Sequence, residues 1–354
     1  MRGGGAEHVF SILLRHLDRT KFELHLGILC GKGAYLDDIP RDVVVHDLET
    51  SRVRYALPSM VKLVRKIRPQ TVMSAVLNVN VAAILSKPFL PRGTRVLVRE
   101  AANPSAILSF AEVNHRHLWE WAYRHLYKRA DGVICLSDAM ANDMVNKLGI
   151  PANKAVRIYN PVEVQRVREM ADKGENPYSS AGPQLVAAGR LSKEKGFDVL
   201  IAAMPLVLRQ FPGAALVILG QGQLKQQLVQ QAQDLGLAQS VRLLGYRQNP
   251  WPYYRHADVF VLSSRFDGMP NAVLEALALG TQVVATDCPG GIREIQSCDP
   301  EMILVPPEKP DALAEGIISV LRQRQHGGPA RHRQQPDLAK FDLQHAVAEY
   351  SRLL

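Results

Sequence analysis

Val186-Ala-Ala-Gly189, then Arg190-Leu-Ser-Lys-Glu-Lys-Gly196, then a segment opening at Phe197, is the stretch that decides the fold. The first four residues read as the end of a short buried strand. Phe197, Leu200, Ile201, Met204 and Leu208 then fall on one stripe of a helix. Strand, basic loop and helix in that order form the unit of a parallel α/β sheet. Arg190 and Lys195 would occupy the carboxyl end of the strand, where open α/β sheets bind ligands. A guanidinium offers a planar fork and an ammonium a point charge, so the two suit a diphosphate. Taken alone, the pair also fits a solvated loop.

A second stretch adds the opposite charge. From Ser263 to Glu275 the chain reads S-S-R-F-D-G-M-P-N-A-V-L-E. Asp267 and Glu275 stand on either side of the turn Gly268, Met269, Pro270 and Asn271, which is expected to open a helix. Proline suits a first helical turn because its missing N–H would be unpaired there. The other amides of the turn, with the positive end of the helix dipole, favour anionic oxygens. Glu275 lies about one turn in, and helical side chains lean toward the N-terminus, so it can face what Asp267 faces. Ionised carboxylates only accept hydrogen bonds, which suits sugar hydroxyls. A plain strand, loop and helix with solvated acids is the alternative reading. The chain has no D-x-D sequence, so no carboxylate-held divalent ion and no metal site are expected.

Together with L-G-x-G at Leu219 to Gly222, L-L-G-Y at Leu243 to Tyr246 and A-D-V-F-V-L-S-S at Ala257 to Ser264, these motifs resemble the nucleotide-sugar domain of retaining glycosyltransferases of family 4. Gly3-Gly4-Gly5-Ala6-Glu7-His8-Val9 is similar to the start of the same family, so the resemblance spans nearly the whole chain. It implies an α/β GT-B fold, two Rossmann-like parallel-sheet domains facing a cleft. By the resemblance, Arg190 and Lys195 bind the diphosphate and Glu275 holds the ribose. Asp267 and the amides of Gly268 to Asn271 hold the donor hexose, backbone near Tyr246 to Asn249 faces the base, and Gly4, Gly5, Gly189 and Gly220 line the donor. L-G-Y-x-x-N-P and C-P-G-G at Cys288 to Gly291 resemble transferases of envelope polysaccharide or lipid-linked oligosaccharide assembly. The reaction implied moves a hexose or N-acetylhexosamine from a nucleoside diphosphate sugar, UDP-linked by preference, to a glycan or lipid-linked acceptor. No cofactor beyond the donor substrate is expected.

Organisation along the chain agrees. At 354 residues the chain suits two domains, and with 47% hydrophobic residues disorder is not expected. Residues 1–160 are expected as an acceptor-binding domain and 161–183 as a linker. Residues 184–335 are expected as the nucleotide-sugar domain, and 336–354 as a C-terminal helix returning to the first. In the first domain, helix Ala6 to Leu17, strands Glu23 to Leu29 and Val43 to Asp47, helix Pro58 to Lys66 and strands Thr71 to Ser74 and Arg95 to Arg99 are predicted. Gln323 to Asp337 reads as a solvated loop. The family resemblance also predicts a hydrophobic strand before the G-G-G loop, which this chain lacks. The first strand is therefore expected to lie in an upstream reading frame. Cys30, Cys135, Cys288 and Cys298 show no C-x-x-C spacing and are expected as reduced, buried thiols of a cytoplasmic protein.

Charge points to the partner. Residues 1–160 carry 23 Lys and Arg against 14 Asp and Glu, while residues 161–354 carry 20 against 20. A basic first half fits an anionic membrane surface or a lipid diphosphate acceptor. Nucleic acid is not expected, because no RNA-binding signature or basic recognition helix accompanies it. From Phe110 to Arg129 the chain is rich in aromatic and basic residues. Trp119, Tyr123 and Tyr127 recur as an aromatic ridge suited to a membrane interface, and Phe110, Leu118, Trp121, Ala122 and Leu126 form a stripe that could pack on a sheet. An ordinary sheet-covering helix is the competing reading. None of the eleven histidines is assigned a role.

Two departures from the family pattern affect the site. Asp267 stands where most relatives carry Glu, one methylene longer. The loop Glu100 to Ser105 lacks the histidine often found there, leaving Arg99, Glu100 and Asn103 as polar candidates. Two other functions remain open at this point. One is a non-catalytic nucleotide-sugar-binding protein on the same scaffold. The other is an NAD(P)-dependent oxidoreductase using Gly220-Gln-Gly222, although a third glycine and a ribose-binding acid after Val241 to Leu244 are missing.

Overall fold

The computed structural model describes residues 4–31, 35–50, 52–110, 115–179, 182–325 and 336–354. They form two compact units, one of Met1–Pro161 with Leu343–Leu354 and one of Val162–Asp342.

The first unit runs α1 (Gly5–His16), β1 (His25–Ile28), β2 (Val44–Asp47), α2 (Val53–Ile67), β3 (Thr71–Ala75), α3 (Leu77–Ser86), β4 (Arg95–Arg99), α4 (Pro104–Ser109), α5 (Arg116–Trp121), β5 (Gly132–Cys135), α6 (Asp138–Asn142) and β6 (Ala155–Arg157). Strands β3-β4-β5-β6 make a parallel sheet, and β1 and β2 a separate parallel pair. Among the described residues β1 pairs with β2 alone and β3 with β4 alone, so each sheet keeps an edge without a strand. Helix α1 serves both. Its Val9 and Leu13 pack with Ile134 and Ile158 of the larger sheet region, and its Leu14 with Leu26, Ile28 and Val43 of the smaller. Helix α2 begins five residues earlier than predicted, with Pro58 inside it; the proline costs one early backbone bond and burial of Ala56 anchors the turn before it.

The second unit runs α7 (Val164–Asp172), β7 (Gln184–Ala188), α8 (Phe197–Gln210), β8 (Ala215–Leu219), α9 (Lys225–Asp234), β9 (Val241–Gly245), α10 (Trp251–His256), β10 (Val259–Leu262), α11 (Asn271–Ala278), β11 (Val283–Thr286), α12 (Ile292–Gln296), β12 (Ile303–Val305) and α13 (Pro310–Gln325). The six strands lie in the order β12-β11-β10-β7-β8-β9, all parallel. Strands β10 and β11 are buried at every position, as expected of parallel strands covered by helices on both faces. Leu216, Ile218 and Val261 meet Leu200 and Met204 of α8 and Ile317 of α13 in the core. The order reverses at β7, which has β8 on one side and β10 on the other. Loops leaving β7 and β10 therefore emerge side by side at a topological switch point.

The last helix, α14 (Leu343–Leu353), belongs to the first unit, where its buried Tyr350 and Val347 join Val9 and Leu13.

Several expectations require correction. The stretch 161–183 is not a free linker: it carries α7, and buried Tyr178 donates to the Tyr253 carbonyl at 2.8 Å within the second unit. Cys30 is exposed, whereas Cys135, Cys288 and Cys298 are buried. Residues 326–335 of the expected loop, and Gly3, lie outside the described residues. The aromatic ridge is also wrong. Tyr123 and Tyr127 are fully buried, while Leu118 and Trp121, expected to pack on a sheet, are exposed.

Glu100 is the reason. Its carboxyl is buried at the end of β4, and it accepts from Tyr123 Oη at 3.1 Å, from Tyr127 Oη and from Asn80 Nδ2 at 2.9 Å. A buried acid needs donors, and phenols provide them without adding charge. Burial still holds its pKa above the ordinary glutamate value. Tyr127→Phe should therefore leave one carboxylate oxygen short of a donor and lower stability by about 1–3 kcal/mol in urea unfolding. An unchanged midpoint would contradict this account.

Candidate functional site

Lys195 and Asp267, 72 residues apart in sequence, form an ion pair through Nζ and Oδ2. Each sits in a loop at the carboxyl end of its strand, one after β7 and one after β10, so the switch point brings together the cation and the acid that sequence had singled out. Two backbone approaches fix the loops. At Gly196, φ is 62° and a Cβ would collide with the Ser263 carbonyl; Ser263 Oγ in turn donates to the Lys195 carbonyl at 2.9 Å. At Gly290, φ is 134° and a Cβ would strike the Asp267 carbonyl. Only glycine tolerates either position.

Arg265 braces the same loops. Its guanidinium donates to the Lys193 carbonyl at 2.6 Å, grips both oxygens of Asp198 at 2.7 and 2.8 Å and pairs with Glu308. Such a fork is a geometry that Lys could not reproduce. Arg190 remains 65% exposed, its guanidinium 4.0 Å from Glu194, so its charge stays open to solvent beside Lys195's loop.

The turn after Asp267 differs in detail from expectation. The Gly268 amide donates to Asp267 Oδ1 at 2.9 Å, so one of the three amides expected to meet ligand oxygens is already engaged, and Pro270 caps α11. Met269 is buried against Gly291. Asn271 is the first residue of α11, so the turn opens a helix.

Glu275 is ringed by protein although part of its surface stays open. Trp251 Nε1 donates to its Oε2 at 3.0 Å. Burial pushes its carboxyl up to about 7; the indole N–H opposes that rise and nearby Glu163 adds to it. The Asn249 side chain is held within the second unit. Its Nδ2 donates to the Met170 carbonyl at 2.9 Å and its Oδ1 accepts from the Trp251 amide at 3.3 Å, tying α7 to α10. Tyr246 is partly buried just beyond β9. Gly189 and Gly220 pack together where β7 and β8 end.

The remaining candidates lie in the first unit. Gly4 caps α1 and its amide donates to Glu7 at 2.8 Å, with Gly5 the first helical residue. Arg99, Glu100 and Asn103 are corrected: all three are buried in supporting roles. Arg99 Nε meets Tyr350 Oη at 3.1 Å and its Nη2 donates to Asn160, while Asn103 caps α4 through Ala106 N at 3.1 Å.

Sequence reading missed Trp251, Glu163 and Arg265. Trp251 directly follows the N-P of the L-G-Y motif, and Arg265 stands two residues before Asp267; both were legible as neighbours of motif positions. Cys288 is inert, since burial, aided by Asp267's charge, pushes its thiol up to about 12.

Two family models match the chain. The model described as Glycosyl transferases group 1 matches residues 182–323, and that described as Glycosyltransferase Family 4 matches residues 3–166. The chain belongs to this glycosyltransferase family. An uncharacterized glycosyltransferase of Methanocaldococcus jannaschii is 31% identical over 67% of the chain and 60% of its own length. A Campylobacter jejuni protein named N-acetylgalactosamine-N,N'-diacetylbacillosaminyl-diphospho-undecaprenol 4-alpha-N-acetylgalactosaminyltransferase is 29% identical over 90% of the chain and 87% of its own length. Matches to several other curated relatives span only about half of their length. Among solved structures, Anabaena Alr3699/HepE in complex with UDP and glucose superposes with a TM-score of 0.80 at 20% identity, covering 99% of this chain and 96% of that one. The fold is GT-B.

Glu275 yields a prediction about stability. With its pKa raised from 4.5 to about 7, the folded state holds a proton that the unfolded chain has released over that interval. Stability therefore falls as pH rises from about 4.5 to about 7. Glu275→Gln, which can still accept from Trp251, should remove that fall and raise Tm above neutrality by about 2–4 °C. Thermal unfolding across the interval checks it; an unaltered pH slope would overturn the assignment. Trp251→Phe should instead steepen the slope, because the carboxylate loses the donor that favours its charge.

Proposed function

We propose that the protein transfers a hexosyl or N-acetylhexosaminyl unit from a nucleoside diphosphate sugar to a glycan or lipid-linked acceptor, with retention at the anomeric carbon. The observation that carries this reading is the meeting of Lys195 with Asp267 at the β7/β10 switch point, with Arg190 open beside them and Glu275 one turn into α11. A basic loop and an acidic turn placed together match a ligand with an anionic half and a hydroxylated half.

UDP is the donor nucleotide proposed, in keeping with the UDP in the Anabaena structure of the same fold. A polyprenyl-diphosphate glycan is the acceptor class proposed, in keeping with the name of the Campylobacter relative. Cleavage of the glycosyl–phosphate bond develops negative charge on the diphosphate, which Lys195 and Arg190 neutralise in place of a divalent ion. Lys195 is paired with Asp267 before the donor arrives. Donor binding brings the diphosphate into the field of that ammonium, and Asp267 is left to accept from sugar hydroxyls. Glu275, when ionised, accepts from the ribose.

A thermal-shift screen of nucleotides and nucleotide sugars identifies the donor, because stabilisation follows occupancy. Lys195→Ala and Arg190→Ala should each depress turnover by about two or more orders of magnitude, with chelator leaving the native rate intact. Near-native rates in both variants would refute the diphosphate role. Asp267→Asn separates the two halves of the ligand: UDP alone should bind at least as well as before, since Lys195 loses a competing partner, while turnover of the UDP-sugar falls. Hydrolysis of the donor without acceptor distinguishes an enzyme from a binding protein.

A further inference from the structure

Helical geometry continues past α5 to Arg129, and this run has two unlike faces. The inward face is Ala122, Tyr123, Leu126 and Tyr127, all buried. The outward face is His117, Leu118, Trp121, Arg124, His125 and Lys128, all exposed. Leu118 is 58% and Trp121 53% exposed, which places two large apolar side chains one turn apart in water. The inward face explains the outward one. Glu100 draws Tyr123 and Tyr127 inside, and the helical period then turns Leu118 and Trp121 out.

The surroundings are cationic. Between His115 and Arg129 stand Arg116, Arg124, Lys128 and Arg129 against a single acid, Glu120, which already pairs with Arg124 at 3.1 Å. The ring of Trp121 lies 5.7 Å from that of His125. The excess positive charge of the whole chain falls within residues 1–160, so the face lies on the half that an anionic surface attracts.

We propose that the outward face of residues 117–128 docks the first unit on an anionic lipid surface. Leu118 and Trp121 enter the headgroup layer, and Arg116, Arg124, Lys128 and Arg129 stand over lipid phosphates. Two side chains fall far short of the roughly 1,000 Å² that a stable dimer buries, so a second copy is a poorer occupant. A small apolar wedge combined with several cations is instead the combination by which peripheral helices hold a bilayer. Tryptophan suits the role because its ring is apolar while its N–H stays wet. Among the described residues no helix is long and apolar enough to cross a membrane, so the contact proposed is at the surface. The proposal uses none of Arg190, Lys195, Asp267 and Glu275, which lie in the second unit.

Vesicle flotation without nucleotide tests it. The protein should float with phosphatidylcholine vesicles containing phosphatidylglycerol, should not float with phosphatidylcholine alone, and should dissociate as salt rises. The double variant Leu118→Ala, Trp121→Ala keeps every charge and should bind at least about fivefold more weakly. Arg124→Gln and Lys128→Gln should each cost about fivefold. All four side chains are exposed, so unfolding midpoints should be unchanged, and nucleotide binding by the second unit should be unaffected. Absence of native binding to the anionic vesicles overturns the proposal. So does binding by the Leu118→Ala, Trp121→Ala variant equal to the native protein, or dissociation of a self-dimer in that variant without loss of vesicle binding.

Discussion

A reversal of strand order at β7 is the constraint on which the candidate site depends. Because β8 pairs with one edge of β7 and β10 with the other, the loops that leave β7 and β10 emerge side by side. The loop after β7 carries Arg190 and Lys195; the loop after β10 carries Asp267 and leads into α11 with Glu275. Opposite charges from distant sequence are thereby held in contact, and the Lys195–Asp267 pair records it. The pair is partly buried, with exposures of 22% and 12%, so its attraction is less screened than that of a surface pair.

Around that pair the loops are braced at several points. Gly196 and Gly290 allow backbone to touch backbone, and Arg265 ties the basic loop to α8 and to Glu308. Asn249 and Trp251 tie α7 and α10 to the helix that bears Glu275. A site whose charged groups are already oriented has little left to reorganise when charge develops on a leaving group, which is the condition for electrostatic catalysis. The high pKa of Glu275 is the local cost of this arrangement: a carboxyl held among protein atoms is less readily ionised.

In the first unit a different buried group organises the structure. Glu100 accepts from two phenols and an amide, and Arg99 beside it donates to Tyr350 from the last helix and to Asn160. Two of the polar candidates at the end of β4 are therefore internal supports. Their burial links strand β4, the helical run to Arg129 and α14 into one body, and it sets which residues of that run meet solvent.

Much of this was legible from residues alone. The strand, basic loop and helix around Val186 to Gly196, the acidic turn at Asp267 and the near-continuous apolar strands each have local causes: side-chain period, turn chemistry and charge type. Membership of the family followed from motifs of the same local kind. What the chain could not state by itself was which partner each polar group would find. Trp251 on Glu275, Arg265 on Asp198, and Tyr123 and Tyr127 on Glu100 are contacts between elements, and a pattern of aromatic residues every fourth position reads the same whether its ridge faces water or a buried acid. Sequence alone determined the alternation of strands and helices and the placing of cations and acids at strand ends, because those depend on near neighbours. Tertiary structure alone decided which face of the 116–129 helix is buried and which acid is shielded, because desolvation depends on everything packed around a group and not on its position in the chain.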